Sequence, residues 1–456
     1  MKIRFLGATE TVTGSKYVID CPAGKTLLDC GLFQGLKELR LRNWAPLPVP
    51  VGSIDQIVLT HAHIDHSGYL PRMIRQGYEN PIYATSGTFD LCSLLLPDAG
   101  KLQEEDAALS NRLGYSKHKP ALPLFDEEDA RKALRYFKIV PYRERTEVKG
   151  LAFTCYQAGH ILGATFILAE CDRRVLFSGD LGGYDRPILR DPEEFTQPVD
   201  YLVLESTYGD RVHEKTSSEK LARCIVETES RGGKIFIPAF SIGRAQELLF
   251  LIRELEVKNK IPVMPVYIDS PMAINATLYY VLHTEDHDVD MERLSRDNNN
   301  PFVTRKFRII RSHEESLLTA QSDTPAIIIA GSGMITGGRI LNHLEFGLQN
   351  PDNLVLLVGF QAEGTRGRSL LEGARALKLR GKMVLVKARV DKLNGLSGHA
   401  DAEEMLRWLR HFPSPPKRTF LVHGERKVID IWKARIEKEL GWNVHIPKYL
   451  EEVELT

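Results

Sequence analysis

Apolar and polar positions alternate in short runs up to about residue 210, and this pattern predicts a region dominated by β-strands. Segments such as KIRFLG, KYVIDC, QIVLTHAH and RVLFSGD carry β-branched and aromatic residues, with Gly, Asp and Pro between them. Two segments have helical patterning instead, SGTFDLCSLLLPDAGKLQEEDAALSNRL and DEEDARKALRYF. The second begins with acidic residues, which suit a helix N-terminus.

After about residue 210 the pattern changes to strand, sharp turn and helix. KIFIPAF precedes SIGRAQELLFLIRELEVK, VYIDSP precedes MAINATLYYVLH, and PAIIIAGSGM precedes ITGGRILNHLEFGL. Repeated βα units of this kind predict a parallel sheet. A Pro-rich segment, HFPSPPKRTF, then precedes a last strand and helix. The chain of 456 residues is also too long for one core, so we expect at least two domains.

Composition and charge bear on the possible binding partners of the protein and on the compartment in which it acts. Sixty basic and sixty acidic residues give a formal charge of zero, so any phosphate-binding surface has to be local. The run from Gln361 to Lys392 holds nine Lys or Arg against Glu363, Glu372 and Asp391, although such runs are often only a solvated face. The six cysteines form no C-x-x-C pair and are predicted to be buried thiols in a reducing compartment. Because no signal peptide or membrane-length apolar run is present, we expect a soluble cytoplasmic protein.

The segment HAHIDH follows an apolar strand and holds four residues of metal-ligand type: His61, His63, Asp65 and His66. In an extended segment the first two histidines project to the same side, and the following turn can bring the other two residues towards them. Four such ligands exceed what one tetrahedral zinc with bound solvent needs, which indicates two metal ions. The alternative is a cluster of polar residues on the surface.

Three further candidates follow strands elsewhere: His160 in QAGHILGA, Asp180 in LFSGDLGG and Asp29 in LLDCG. Each alone would more often be a loop residue that forms hydrogen bonds. Together with HAHIDH, the first two predict the other half of a metal site. Asp29 would orient a ligand rather than contact the metal.

These motifs resemble the metallo-β-lactamase superfamily, an αββα sandwich with its metal site at one edge of two packed sheets. The resemblance implies two zinc ions per subunit, and it implies their ligands: His61, His63 and His160 on the first ion, Asp65 and His66 on the second, with Asp180 bridging. Asp65 and Asp180 would thereby also belong to the catalytic residues. The superfamily hydrolyses several kinds of substrate, so the metal site leaves the substrate open.

Residues 181–422 separate Asp180 from the next candidate ligand, His423 in TFLVHGE, and this interval is the size of a domain. With Glu205 in LVLESTYGD and His399 in GLSGHAD, the chain resembles the β-CASP nucleases, in which a Rossmann-like domain is inserted into the lactamase-type fold. The resemblance implies an inserted domain at 210–385, with 1–209 and 386–456 forming the lactamase domain. His423 would complete the second zinc site.

A histidine at position 423 resembles the RNA-processing branch of the family, which implies an RNA substrate. The chain is similar to the compact bacterial relatives of the polyadenylation endonuclease, without additional KH or C-terminal domains. The resemblance implies two-metal hydrolysis that leaves 5′-phosphate and 3′-hydroxyl ends, with internal cutting expected and 5′–3′ exonuclease action left open. His399 would donate the proton and Glu205 would orient it, although His399 alone could be a polar residue at a helix N-terminus. A homodimer is also expected.

The expected RNA phosphate contacts lie in the βα region. The Gly-rich turn in IIIAGSGMITGGRI contributes Ser332, Gly333 and Met334 by resemblance, and Ser241 and Arg244 are predicted at the N-cap and in the first turn of a helix. Arg366 is the candidate from the basic run. For Ser241 and Arg244 the alternative is an ordinary capped helix with a solvated arginine.

Two other functions remain as alternatives. A small-molecule hydrolase related to thioesterases or lactamases could use the same zinc ligands, but the long interval, His399 and Glu205 argue against it. A metal-poor RNA-binding subunit is the second alternative, but every ligand position is filled in this sequence.

Overall fold

The computed structural model describes residues 1–114, 116–214, 217–296, 300–359, 361 and 364–456. The described chain divides into two compact units, which we call unit 1 (Met1–Val212 with His399–Thr456) and unit 2 (His213–Gly398). The domain boundaries expected from the sequence, after residues 209 and 385, stay a prediction. Glu363 of the basic run lies outside the described residues.

Unit 1 contains two seven-stranded sheets, with strands numbered along the whole chain. The first sheet has the order β22-β1-β2-β3-β4-β5-β6 and comprises β1 (Lys2–Phe5), β2 (Tyr17–Cys21), β3 (Gly24–Leu28), β4 (Gln56–Val58), β5 (Ile82–Ala84), β6 (Phe137–Ile139) and β22 (Glu452–Glu454). The second has the order β21-β20-β11-β10-β9-β8-β7 and comprises β7 (Thr146–Val148), β8 (Leu151–Gln157), β9 (Thr165–Glu170), β10 (Arg174–Phe177), β11 (Tyr201–Leu204), β20 (Arg418–Leu421) and β21 (Val444–His445).

The helices of unit 1 are α1 (Lys37–Arg42), α2 (Ile64–Ser67), α3 (Leu70–Arg75), α4 (Ser86–Leu113), α5 (Glu127–Ala133), α13 (Ala402–Leu409) and α14 (Arg426–Leu440), with 3₁₀ turns at Val51–Ser53 and Leu134–Tyr136. Helix α4 coincides with the longer of the two helical patterns in the sequence. Its bounds have local causes, because the Thr85 hydroxyl accepts a hydrogen bond from the backbone of Thr88, and Gly114 adopts the left-handed conformation that ends many helices.

The core of unit 1 lies between its two sheets. Side chains of both sheets interdigitate there, and ring centroids of Phe5 and Phe420 from opposite sheets are 5.3 Å apart. Tyr17 and Phe177 form a second such pair at 5.9 Å. This packing of two sheets is the predicted αββα sandwich. The cysteines are free thiols, and all except Cys171 are buried, as expected from their apolar surroundings in the sequence.

Unit 2 is built on a six-stranded sheet with the order β14-β13-β15-β12-β16-β19, and every pairing in it is parallel. Its strands are β12 (Ile235–Pro238), β13 (Val266–Asp269), β14 (Phe307–Ile309), β15 (Ile327–Ala330), β16 (Leu354–Leu357) and β19 (Arg389–Lys392), and β17 (Ala376–Leu379) and β18 (Lys382–Leu385) form a separate hairpin. The helices are α6 (Ser217–Glu229), α7 (Arg244–Val257), α8 (Pro271–Leu282), α9 (Val289–Arg296), α10 (His313–Gln321), α11 (Ile340–Gly347) and α12 (Arg366–Leu371), with a 3₁₀ turn at Thr284–Asp286. The repeated βα pattern predicted this parallel sheet, and the α/β arrangement is the Rossmann-like one that the resemblance implies.

Candidate metal centre

The histidine-rich segment follows the C-terminal end of strand β4, an interior strand of the first sheet of unit 1. The chain leaves the strand at Val58, passes through His61 and His63 outside regular secondary structure, and enters the short helix α2 at Ile64. Asp65 and His66 are therefore in the first turn of that helix, which turns their side chains back towards the two preceding histidines. His61 and His66 are buried.

A first ligand group consists of His61, His63, His160 and Asp180, whose ligand atoms all lie within 4.8 Å of one another. His63 Nδ1 is 3.1 Å from Nε2 of both His61 and His160. Asp180 Oδ2 is 3.4 Å from His61 Nε2 and 3.6 Å from His160 Nε2. The loop after β8 and the loop after β10 thus bring the two distant candidates, His160 and Asp180, to the HAHIDH segment.

A second ligand group consists of Asp65, His66 and His423. His423 Nε2 is 3.2 Å from His66 Nε2 and 3.3 Å from Asp65 Oδ2. Asp180 also reaches this group, because its Oδ1 lies 3.3 Å from His66 Nε2. One carboxylate therefore directs one oxygen to each ligand group.

The residues of these two groups fit bound zinc. Burial is the main cause that lowers the pKa of His61 well below its usual range and lowers that of His63 to about 4, so both rings are neutral. The Nε2 atoms of His61 and His160 both lie 3.1 Å from His63 Nδ1, so three ring nitrogens converge on one point. The buried Asp180 Oδ1 also has no hydrogen-bond partner. Imidazole nitrogens and carboxylate oxygens are zinc ligands, and a cation would satisfy all of these atoms.

Asp29 lies beside the second group and contacts His66 rather than the converging ligand atoms. Its Oδ2 is 2.8 Å from His66 Nδ1, and its Oδ1 accepts hydrogen bonds from the backbone and hydroxyl of Thr60 at 2.8 and 3.0 Å. Because a carboxylate only accepts, His66 Nδ1 must carry the hydrogen, which leaves Nε2 directed at the other ligands. Burial opposes a charged His66 ring, but the carboxylates of Asp180 and Asp29 outweigh it and raise its pKa, and a bound metal ion would displace the proton from Nε2.

Glu205 and His399 form a pair at the edge of the first ligand group. Both Glu205 carboxylate oxygens are 3.2 Å from His399 Nδ1, and His399 Nε2 is 3.9 Å from Asp180 Oδ2. The fully buried Glu205 carboxylate also accepts a hydrogen bond of 2.6 Å from the backbone of Leu181. The Leu181 carbonyl in turn accepts one of 2.7 Å from Ala400. This backbone network joins the segments that carry the histidine and the carboxylate.

His399 is not the capping residue of the helix that follows it. Helix α13 is capped by Asp401, whose carboxylate accepts hydrogen bonds from the backbone of Glu403 and Glu404. The electrostatic surroundings of His399 favour its protonated form: burial opposes the charge, but the carboxylates of Glu205 and Asp180 outweigh it and raise the pKa to about 9. The histidine therefore holds a proton near neutral pH.

Three residues around this centre were missed in the sequence analysis. The Thr60 hydroxyl contacts Asp29 and lies 3.1 Å from His61 Nδ1. The Thr207 hydroxyl lies 3.1 Å from His423 Nδ1. Lys16 is buried, donates to the carbonyl of Gly31 and lies over the rings of Phe33 and Tyr69. Only Thr60 had a local signal, because it directly precedes the first ligand histidine.

The structure corrects the expectation that Ser241 caps a helix. Helix α7 begins at Arg244, and its N-cap residue is Gly243, which adopts a positive φ of 77° that favours glycine. The Ser241 hydroxyl instead lies 2.9 Å from the Ser270 hydroxyl, because the chain makes a further turn between β12 and the helix. The Arg244 side chain is 10% exposed and pairs with Glu247, so it is not a solvated arginine.

The Gly-rich turn (residues 331–338) joins β15 to α11, and its polar groups are used within unit 2. Ser332 Oγ accepts hydrogen bonds from the backbone of Thr336 and Gly337 at 3.0 and 3.3 Å. Gly333 has no side chain, and a Cβ at this position would lie 3.1 Å from the ring of Phe240, which is a tight contact.

Arg366 belongs to the same region, since its guanidinium donates to the carbonyls of Ile335 and Thr336 at 3.0 Å each and to that of Lys378 at 2.8 Å. The Met334 carbonyl accepts a hydrogen bond from the backbone of Gly367. The predicted turn residues and Arg366 therefore lie together in unit 2, and their contact with RNA stays a prediction.

Comparison with known families agrees with this architecture. A metallo-beta-lactamase superfamily domain model matches residues 19–178, a Beta-Casp domain model matches 245–370, and a Zn-dependent metallo-hydrolase RNA specificity domain model matches 383–447. The fold and the His/Asp centre define a metal-dependent hydrolase of the metallo-β-lactamase superfamily.

Curated relatives cover nearly the whole chain. It is 35% identical to Ribonuclease TTHA0252 of Thermus thermophilus over 430 residues, 94% of each chain. It is 30% identical to an RNase J-like protein of Methanocaldococcus jannaschii over 95% of this chain and 96% of that one. It is also 30% identical to Transcription termination factor FttA of Methanosarcina mazei over 100% of this chain and 72% of that one. The chain belongs to the β-CASP family.

One solved structure shares the fold at low sequence similarity. The crystal structure of a protein of unknown function from Enterococcus faecalis V583 matches with a TM-score of 0.54 and 14% identity, over 99% of both chains. Among the residues that the structure describes, no helix has the length and apolar character needed to cross a membrane.

Proposed function

We propose that the protein is a zinc-dependent ribonuclease that binds two zinc ions per subunit and hydrolyses RNA phosphodiester bonds. The observation that carries this proposal is the position of Asp180: one oxygen faces each ligand group, and the proton-bearing His399 lies 3.9 Å from the first of them. The relatives named as ribonucleases support RNA as the substrate. The model named for RNA specificity, which matches residues 383–447, supports it as well.

The metal ions held by the two ligand groups and the Glu205–His399 pair would have different roles in the hydrolysis. Bound zinc would generate a nucleophile from water at neutral pH and neutralise charge on the phosphate. His399 would donate the proton at Nε2 to the leaving 3′ oxygen, because its Nδ1 hydrogen is held by Glu205. Glu205 keeps the ring oriented and charged before the proton is transferred. Attack on phosphorus with departure of the 3′ oxygen leaves a 5′-phosphate and a 3′-hydroxyl.

The remaining assignments belong to the same proposal. Residues 210–385 form the inserted domain, and the zinc ligands are His61, His63 and His160 for one ion, Asp65, His66 and His423 for the other, and Asp180 for both. In unit 2, phosphates of the RNA contact Ser241, Arg244, Ser332, Gly333, Met334 and Arg366. The enzyme cuts internally, with 5′–3′ exonuclease action as a second mode, and acts as a cytoplasmic homodimer in RNA processing or decay.

Cleavage of one RNA labelled separately at its two ends tests the function and its mode. Internal cutting releases labelled fragments of several lengths from both ends, whereas 5′–3′ degradation releases mononucleotides from the 5′ label. Substrates with 5′-triphosphate, monophosphate and hydroxyl ends separate the two modes further. Thioester and lactam substrates are assayed in parallel, and turnover of these alone would contradict the ribonuclease proposal.

A further inference from the structure

The hydroxyl of Thr207 lies close to two groups of His423, its imidazole ring and its backbone carbonyl. Thr207 follows strand β11 and His423 follows strand β20, and these strands are parallel neighbours whose ends are in register at Leu204 and Leu421. Thr207 Oγ1 is 3.1 Å from His423 Nδ1 and 3.3 Å from the backbone carbonyl oxygen of His423. One hydroxyl therefore contacts both the ring and the main chain of the same histidine.

The hydrogen-bond directions around Thr207 favour one tautomer of the ring. The Thr207 hydroxyl donates its single hydrogen to this carbonyl oxygen, which also accepts from the backbone N–H of Ser206. The hydroxyl oxygen then accepts from His423 Nδ1, which must carry the ring hydrogen. Nε2 is left with its lone pair, and this is the nitrogen that faces Asp65 and His66 at 3.3 and 3.2 Å. The opposite tautomer would donate an N–H from Nε2 to the Asp65 carboxylate, 3.3 Å away, and would leave no lone pair on Nε2 for a metal ion.

The surrounding backbone holds Thr207 in this position. Ser206 donates its backbone N–H to the His423 carbonyl at 3.2 Å, and Val422 donates to Leu204 at 2.9 Å. The segments pack so closely that a Cβ added at Gly424 would lie 2.7 Å from Cβ of Ser206. The hydroxyl therefore has little freedom to turn away from the histidine.

We propose that Thr207 is a positioning residue that fixes the tautomer of His423 and so prepares Nε2 as a ligand of the second zinc. This role rests on the proposed second zinc site, and it corresponds to the contact of Asp29 with Nδ1 of His66. The two histidines of the second ligand group are thus oriented by different partners, a carboxylate for one and a hydroxyl for the other. Loss of such an orienting partner typically weakens metal binding by about 10- to 100-fold.

Zinc retention tests the proposal without any RNA. Zinc-loaded wild type, Thr207→Val and Thr207→Ser are dialysed against buffers of stepped free-zinc concentration, and the metal per chain is measured. Thr207→Val keeps the shape but lacks the hydroxyl, so we expect its weaker zinc to be released at about 10- to 100-fold higher free zinc, with the tighter zinc unchanged. Thr207→Ser keeps the hydroxyl and should match wild type within about threefold.

A double-mutant cycle separates orientation of His423 from a general structural effect. In a His423→Ala background the ring is absent, so Thr207→Val should cause no further loss of zinc. Equal retention by wild type and Thr207→Val, or equal weakening by Thr207→Ser and Thr207→Val, would overturn the proposal. So would an undiminished effect of Thr207→Val in the His423→Ala background. Because no RNA is cleaved in these measurements, a protein that proved not to be a ribonuclease would leave their result unchanged.

Discussion

The two ligand groups of unit 1 and the Gly-rich turn of unit 2 differ in how their polar atoms are satisfied. In unit 1 the ring nitrogens of His61, His63 and His160 face one another, and Asp180 Oδ1 has no partner. In unit 2 the Ser332 hydroxyl is used by the backbone of its own turn. Both regions follow the ends of β-strands, but the ligand groups converge around a buried carboxylate oxygen without a hydrogen-bond partner, whereas the Ser332 hydroxyl supports its own turn.

This difference bears on what each region can do. A buried acceptor without a hydrogen-bond partner is costly, and a cation bound by the ligand groups would offset that cost at Asp180. A turn whose side chains support its own backbone is stable without a ligand. It would contact RNA through its shape and its remaining backbone groups. We therefore expect substitutions in the ligand groups of unit 1 to abolish most RNA cleavage. Substitutions in the Gly-rich turn of unit 2 should lower stability and RNA affinity only in part.

The largest effect should follow from Asp180→Ala, because this carboxylate reaches both ligand groups. We expect loss of most bound zinc and a fall in RNA cleavage on the order of 10⁴-fold or more. Metal analysis and cleavage of labelled RNA measure the two quantities. Asp20→Ala, which removes an exposed carboxylate paired with Lys25, is the matched control and should behave as wild type. Retention of two zinc ions by Asp180→Ala would contradict the bridging assignment.

His399→Ala should separate catalysis from metal binding. We expect unchanged zinc content with a fall in cleavage of about 10²- to 10⁴-fold, because the general acid is lost. Asp180, Glu205 and His399 could themselves hold a metal ion, since their ligand atoms converge. Loss of a zinc ion from His399→Ala would identify that group as a metal site and would remove the proposed acid.

Glu205→Gln tests the same pair through pH. Activity that needs protonated His399 is present below the pKa of that histidine and is lost as pH rises through it. The Glu205 carboxylate raises this pKa. Replacing it with a neutral amide should therefore move the alkaline loss of activity to lower pH. An unchanged pH profile would show that Glu205 does not support the charge on His399.

The next prediction concerns Lys16, a buried lysine of unit 1, because burial opposes its positive charge. Burial lowers the pKa of this ammonium group from 10.5 to about 8. Between these two pH values the unfolded chain binds a proton that the folded chain does not, so stability rises with pH. The free energy of unfolding of wild type should rise by about 3 kcal/mol relative to Lys16→Met over this interval. Urea unfolding at pH 8 and 10.5 measures the difference, and parallel pH profiles would contradict it.

The convergence of the ligand groups could be predicted from the sequence because His61, His160, Asp180 and His423 each come shortly after the end of a strand. His61, Asp180 and His423 come after apolar runs that predict buried strands. The ends of such strands meet at one edge of a sandwich. The family resemblance then supplied the pairing of these ends. The α/β character of unit 2 followed in the same way from its repeated strand, turn and helix pattern.

Contacts that depend on side-chain register could not be predicted. The Thr207 hydroxyl reaches His423 only because β11 and β20 are in register, and no local pattern encodes that alignment. The expected cap at Ser241 was wrong for a related reason. A serine shortly before an apolar helical run satisfies the N-cap pattern, but Gly243 takes the cap position and the hydroxyl finds Ser270 on another loop.

The smallest effect is expected from Ser332→Ala in the Gly-rich turn. The change leaves the backbone N–H groups of Thr336 and Gly337 without their acceptor, which should lower the stability of unit 2 by about 1 kcal/mol. Thr336→Val, which removes only the hydroxyl 3.0 Å from that of Ser332, is the matched control.

RNA affinity, measured by fluorescence anisotropy in a His399→Ala background, distinguishes two roles for Ser332. If the hydroxyl supports the turn, affinity and thermal stability should fall together, with affinity reduced by less than about tenfold and zinc content unchanged. If the hydroxyl binds phosphate directly, affinity should fall while the melting temperature stays constant. The second outcome would place a ligand contact in unit 2 as direct as those of unit 1, and the contrast between the two regions would then be wrong.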